Sequence, residues 1–314
     1  MPYNIIDPYG DIIIDCSGKG FRVSSKALSL ASPVFRAMFL PRFKEGIIVA
    51  SNPTDLPVIE LPGDHSKPFR LFCNAAHHRK EFLPPVITLK TLRLLATFVD
   101  KYKCRSAMQD RGLAWLKYLE SKLLPSEALH VHWVFMLFAY SMDLDERFAR
   151  YCRQLMIKAT FRFSTWDYAL KHSSFLPKAV VDALDNQVDS TILKIEDAIE
   201  DSIKFASKAR SGTRKISADA LAGHYLCALG RAGVLPGTEE FETKTIEQIM
   251  NSIYPPYTLS EDEWLSWEGL LMSKISNINT LLGVGLCLTC LKTPDLCPRH
   301  PFVALHCFLD EINI

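Results

Sequence analysis

The chain has 314 residues, of which 48% are hydrophobic and 23% are charged, with a formal net charge of +1. This length and apolar content suit two domains, or one domain with a long helical extension, and they exclude general disorder. The near-zero net charge gives no support to a nucleic-acid or membrane-surface function that would depend on bulk electrostatics.

The first predicted elements are two short strands joined by a glycine turn. The β-branched run Ile12–Ile14 predicts one strand and Phe21–Val23 predicts the other, while Gly18–Gly20 between them predicts the turn. After a loop, Pro57–Leu61 predicts another strand, which ends at Pro62-Gly63. These strands are too few and too short for a large sheet, so we expect a small one.

Two short helices are predicted between these strands. Ser24-Ser25 is a capping sequence for the first helix. Ser32 and Pro33 are typical of an N-cap and a first helical position, and they begin the second. Because the second helix must cover the sheet, we expect its apolar side chains to be buried, namely those of Phe35, Met38 and Phe39.

The rest of the chain is predicted to be helical, over about residues 66–78, 88–104, 106–120, 126–138, 145–161 and 177–209. In the last of these segments, apolar residues recur every three or four positions from Val181 to Ala206. This pattern predicts a long amphipathic helix whose apolar face packs within the chain. A coiled-coil partner, or a contact in a homodimer, is the alternative, although the stripe is short for a coiled coil.

Seven segments follow one another in a specific order: Gly10–Ile14 as an opening strand, then Phe21–Val23, Leu28, Ser32–Phe35, Met38-Phe39, Phe43–Glu45 and Val58–Leu61. In both the order of the elements and the residue identities, the first 124 residues resemble a BTB/POZ domain. The resemblance implies an α+β fold in which a small sheet is capped by helices and followed by an all-helical region. We therefore divide the chain into a BTB/POZ domain (1–124), a helical extension (125–210) and a C-terminal helical region (211–314).

The resemblance also implies a function. BTB/POZ domains act in protein–protein interaction, so we expect a non-catalytic scaffold or adaptor with protein partners. The more specific alternative is a substrate adaptor of a cullin-type ubiquitin ligase, and a transcription-associated regulator is a third. In such adaptors an apolar–x–Glu element helps to bind the cullin, which implies that Phe43 and Glu45 bind a partner, and Asp11 is a further candidate. Homodimerisation is also implied, although few residues precede Asp11 to form the strand that dimeric members exchange.

Nine cysteines and the absence of a signal-peptide pattern over residues 1–7 favour an intracellular protein, in the cytoplasm or the nucleus. No run reaches the roughly 18 apolar residues of a membrane span. Nucleophile elbows, phosphate-binding loops and paired catalytic carboxylates are absent from the sequence, so we do not predict an enzyme.

Four of the cysteines lie close to the C-terminus, within residues 287–307. Cys287 and Cys290 form a Cys-x-x-Cys pair, and Cys297 and His300 form a Cys-x-x-His pair six residues further on. Two such turns can supply the four ligands of a closed, structural zinc site. His306 or Cys307 could replace one of these ligands. Buried thiols that bind no metal and a redox pair are the alternatives, and no thioredoxin-like pattern surrounds the cysteines.

Overall fold

The computed structural model describes residues 3–51, 55–124, 128–208, 218–253, 274–278, 280 and 285–293. It contains mostly helices and one small four-stranded sheet, which confirms the predicted α+β class. The chain divides into two compact units. The first comprises Met1–Leu144 with Ser173–Phe175, and the second comprises Asp145–His172 with Leu176–Ile314. Among the described residues, no helix is long and apolar enough to cross a membrane.

The sheet of the first unit has the strand order β1-β3-β2-β4. Strands β2 (Ile12–Cys16) and β3 (Lys19–Val23) pair as an antiparallel hairpin. β1 (Tyr3–Ile5) pairs with β3, and β4 (Val58–Glu60) pairs with β2, and both of these pairings are parallel. The hairpin and β4 are confirmed, whereas β1 is a strand that we did not predict.

The hairpin turn lies one residue earlier than we predicted. Ser17 and Gly18 have φ angles of 53° and 77°, so they form the turn, while Lys19 and Gly20 already belong to β3. Two successive positive φ angles are the requirement of a turn whose twist matches that of the flanking strands. The Ser17 hydroxyl also donates to the Asp64 carbonyl at 2.8 Å, which ties the turn to the segment after β4.

Serine caps begin the next two helices, as predicted. Ser24 caps α1 (Ser25–Ala31), and the Ser32 hydroxyl caps α2 (Pro33–Met38) by accepting the Phe35 N–H at 3.1 Å. The same hydroxyl donates to the Tyr102 carbonyl at 2.6 Å, so this cap also joins α2 to a later helix. The structure then contains α3 (Lys44–Ala50), which we did not predict.

Aromatic side chains form the core beneath the sheet. Phe35 is fully buried and stacks on Tyr102 with ring centroids 4.5 Å apart, and it also contacts Phe69 and Phe72. The prediction that Phe35 is buried is therefore confirmed. The prediction is wrong for Met38 and Phe39, which are only half-buried, because α2 ends at Met38 and Phe39 is its C-cap.

The first unit is completed by α4 (Ser66–Ala76), α5 (Leu89–Tyr102), α6 (Arg105–Leu123) and α7 (Leu129–Met142). A buried polar cluster joins α5 to the end of the sheet. The Asp64 carboxylate accepts hydrogen bonds from the Tyr102 hydroxyl at 2.7 Å and from the Lys101 ammonium at 2.6 Å. Asp64 as a whole is only 7% exposed, so these two partners offset the cost of burying its charge.

The second unit is helical in all of its described elements. These are α8 (Asp145–Lys158), α9 (Asp167–His172), α10 (Lys178–Lys208), α11 (Ala218–Ala232), α12 (Glu239–Glu242), α13 (Ile246–Ser252) and α14 (Leu288–Lys292). The Asp185 carboxylate on α10 accepts the backbone N–H groups of Phe163 and Ser164 at 2.6 and 3.1 Å, which fixes the 3-10 turn before α9.

The apolar stripe of α10 packs within the second unit. This confirms the prediction that the apolar face of the helix packs within the chain. Ile195 and Ile199 are fully buried in a core that includes Tyr225, Leu229 and Ile249, and Val188, Ile192 and Ile203 pack against that core. A contact of the stripe in a homodimer stays a prediction, because Val188, Ile192 and Ile203 are only partly buried.

Candidate functional site

Phe43 and Glu45 lie at the start of α3, in the first unit. Phe43 is the N-cap of this helix, in an extended conformation, and its carbonyl accepts the Ile47 N–H at 2.9 Å. Its own N–H donates to the Leu40 carbonyl at 3.0 Å, so the backbone of Phe43 is held on both sides. Its side chain projects from this fixed position, and Phe43 as a whole is 42% exposed.

Three apolar side chains form an exposed surface here, which we name the α3 patch: Leu40, Phe43 and Ile47. Leu40 and Ile47 are 40% and 57% exposed. The Arg42 guanidinium lies 5.1 Å from the centroid of the Phe43 ring, so a cation adjoins the aromatic face. Glu45 is half-buried in the first turn of α3, where the helix dipole favours a carboxylate.

Gly46 sets the position of this patch. A Cβ atom at Gly46 would lie 1.9 Å from the Leu40 carbonyl oxygen, so only glycine lets α3 pack so closely against the preceding turn. Neither α3 nor this contact was predicted from the sequence. The available signal was a single glycine within the apolar segment that follows Phe43, which often marks a close backbone approach.

Asp11, the third candidate for partner binding, lies before β2 and is exposed. Both of its carboxylate oxygens accept hydrogen bonds from Ser25: from the backbone N–H at 2.7 Å and from the hydroxyl at 2.6 Å. The structure thus gives Asp11 an intramolecular contact at the start of α1. A partner that used this carboxylate would compete with Ser25.

The candidate zinc ligands are only partly described. Cys287 is the N-cap of α14 and is 7% exposed, and Cys290 is half-buried in the same helix. Cys297 and His300 lie outside the described residues. Within the described part of the chain, no group of three or more His, Cys, Asp or Glu side chains is arranged to hold a metal ion. The zinc site therefore stays a prediction.

Four other cysteines are buried thiols: Cys16, Cys73, Cys104 and Cys152. Burial raises the pKa of Cys16 and of Cys104 to about 12, and it raises the pKa of Cys73 and of Cys152 well above the ordinary value. A thiolate is the reactive form of cysteine, so these four side chains are suited to packing and not to nucleophilic attack.

No protein-family model, curated protein or solved structure matches this chain. The function must therefore be argued from its own residues.

Proposed function

We propose that this chain is a non-catalytic scaffold or adaptor for protein–protein interaction, built on a BTB/POZ-type domain over residues 1–124. The observation that carries the proposal is the α3 patch, in which an exposed aromatic side chain is held on a fixed backbone. Aromatic anchors beside a charge are the composition of interface hot spots, and a fixed anchor loses little entropy when it binds. Its place in the chain is the one that the BTB/POZ resemblance assigns to partner binding.

The order of the elements supports the BTB/POZ assignment. A hairpin, two short helices, a strand parallel to the hairpin and a set of helices follow one another in the order that the resemblance implies. The resemblance also accounts for Phe35, whose burial between the sheet and α5 follows from its place in the Ser–x–x–Phe segment. These features support the assignment through topology and residue identity together.

Affinity purification with mass spectrometry tests the scaffold or adaptor function. We expect the wild-type chain to retain a defined set of proteins, and the double variant Phe43→Ala/Glu45→Ala to lose them. The matched control is Val58→Ala/Glu60→Ala, which removes another exposed apolar–x–Glu pair of the first unit. Equal capture by the wild type and the Phe43→Ala/Glu45→Ala variant would contradict the proposal.

A cullin is the more specific candidate partner, favoured by the spacing of Phe43 and Glu45. Purified chain should bind a cullin at micromolar concentration, and Phe43→Ala/Glu45→Ala should abolish this binding. The temperature of thermal unfolding should change little, because Phe43 is an exposed residue and its removal does not disturb the core. If the wild-type chain does not bind a cullin, the adaptor proposal fails and the scaffold proposal stands.

We also propose that Cys287, Cys290, Cys297 and His300 bind one structural Zn²⁺. The two ligands that the structure describes support this proposal, because Cys287 and Cys290 lie one helical turn apart at the start of α14. Two thiolates at this spacing can bind one ion, and zinc would cross-link the segment without an open position for catalysis.

A further inference from the structure

A groove of about 1150 Å³ opens on the first unit. Its walls are residues 5–8, α1, the turn that follows α4, and the first part of α6. None of the three α3-patch residues lines it. The groove is thus a second surface, whose binding function would not depend on Phe43 or on the BTB/POZ assignment.

Small side chains make up much of the groove wall. Six alanines from three helices line it: Ala27, Ala31, Ala75, Ala76, Ala107 and Ala114. Larger apolar side chains stand beside them, with Leu30 72% exposed and Ile5 55% exposed. Together they provide an apolar surface that an incoming side chain can cover, with no large side chain in the way.

The charged side chains of the groove are mostly cationic. Arg79, Lys80 and Arg111 carry three positive charges, against the two carboxylates of Asp7 and Asp110. His77 and His78 also line the groove, next to Arg79 and Lys80 in the turn after α4. Of the three cations, Arg79 and Lys80 lie in this turn, and Arg111 lies on α6.

Lys80 and Arg111 are the cations that a ligand would meet, because the Arg79 guanidinium already lies over the Phe82 ring, 3.9 Å from its centroid. The Arg79 guanidinium donates to the carbonyls of Ile5 and Ile6 at 3.1 and 2.5 Å, which are uncharged acceptors, and its contact with Glu81 spans 4.0 Å. Within the part of the chain that the structure describes, Lys80 and Arg111 form no ion pair. One of the opposing carboxylates, that of Asp7, already accepts the Tyr9 N–H at 2.9 Å.

We propose that this groove binds a short acidic peptide segment of a partner protein. Apolar side chains of the peptide would lie on the alanines beside Leu30 and Ile5, and a carboxylate would meet Lys80 and Arg111. Apolar burial supplies affinity in such an arrangement, while the charges set the orientation of the peptide and exclude basic sequences. The chain would then hold two partners at once, one at the α3 patch and one in this groove.

The test begins with a phage-displayed library of random short peptides, selected on the full chain and counter-selected on the variant Ala114→Trp. Ala114 lines the groove and is exposed, so tryptophan narrows the groove without entering the core. We expect the selected peptides to combine apolar residues with a net negative charge. The most enriched peptide is then synthesised with a fluorescent label, and its affinity for the chain is measured by anisotropy.

Reversing a charge in the groove tests whether the cations bind the acidic residues of the peptide. Lys80→Glu should weaken binding of that peptide about tenfold, while the control Lys67→Glu, at an exposed lysine outside the groove, should leave it within about twofold. A peptide whose acidic residues are replaced by lysine should regain affinity for the Lys80→Glu variant.

Three results would overturn the proposal. The first is a selection in which no peptide distinguishes the wild type from Ala114→Trp, or in which the peptides lack acidic residues. The second is equal loss with Lys80→Glu and Lys67→Glu. The third is a fall in molecular mass from dimer to monomer with Ala114→Trp, which would show that a second copy of the chain occupies the groove. Because these results do not involve Phe43, they leave the proposed function to its own test.

Discussion

His77 joins the end of α4 to the start of α1 through both of its ring nitrogens. Nε2 lies 3.0 Å from the Ser24 N–H and must accept from it, whereas Nδ1 lies 2.8 Å from the Cys73 carbonyl and must donate to it. The ring is therefore neutral in the folded chain, because a proton on Nε2 would remove the acceptor. Burial lowers the pKa of His77 below its ordinary value of 6.5, against the opposing effects of the Cys73 carbonyl and Asp7.

This arrangement predicts a pH-dependent stability. The unfolded chain takes up a proton at His77 more readily than the folded chain, so the stabilisation is complete above the ordinary pKa of 6.5 and is lost as the pH falls below it. Urea unfolding between about pH 5 and pH 8 should show this loss for the wild type and much less of it for His77→Gln. His78→Gln, at the exposed neighbouring histidine, should behave like the wild type. If the free energy of unfolding falls equally with pH in the wild type and in His77→Gln, His77 is not the source of the pH dependence.

Substitution of Phe35 tests which face of α2 lies in the core. Phe35→Ala should lower the free energy of unfolding by about 3–5 kcal/mol, because the ring is fully buried and stacks on Tyr102. The measurement is chemical denaturation of the variant and of the exposed control Phe43→Ala. A cost below about 1 kcal/mol for Phe35→Ala would mean that the ring does not occupy the core.

At the scale of elements, the sequence predicts those whose signals are local. Ser24, Ser32 and Pro33 are capping residues, and the helices that they begin are confirmed. β1 was missed because Tyr3–Ile5 has only three residues and its parallel pairing with β3 is a distant contact.

The candidate site was predictable only in part, because its geometry depends on contacts that local patterns do not reveal. Phe43 and Glu45 were found by resemblance, but α3 lacks a capping side chain at its N-cap, Phe43, so no local signal marks where it begins. Leu40 and Ile47 became part of the patch only through the close packing at Gly46. The groove was not foreseen, since its lining residues come from segments as far apart as residues 5 and 114.

The zinc proposal belongs to the element that carries Cys287 and Cys290. Protein purified without chelator should contain about one zinc ion per chain, and Cys290→Ser should remove most of it. Cys227→Ser is the control, at an exposed cysteine on α11. Because thiols must lose a proton to bind zinc, occupancy should fall as the pH is lowered. Metal-free protein whose C-terminal segment still resists proteolysis would show that these cysteines only pack.

For the whole molecule, homodimerisation stays a prediction. The most buried residues of the α10 stripe lie in the core of the second unit, so a homodimer contact on this helix would be limited to its partly buried positions. We still expect a homodimer, since the BTB/POZ resemblance implies pairing and two-fold assemblies are the commonest homo-oligomers. Light scattering over a concentration series should return twice the chain mass of 35.5 kDa. The monomer mass at every concentration would contradict this prediction.

The proposed function requires that the first unit bind a protein partner through the α3 patch. Hydrogen exchange of the full chain, measured alone and with a purified partner from the affinity experiment, shows which residues the partner covers. We predict slower exchange in the complex at the backbone amides of residues 40–50, because the patch and the first turns of α3 would be covered. Unchanged exchange at residues 40–50, with protection elsewhere on the chain, would contradict the claim.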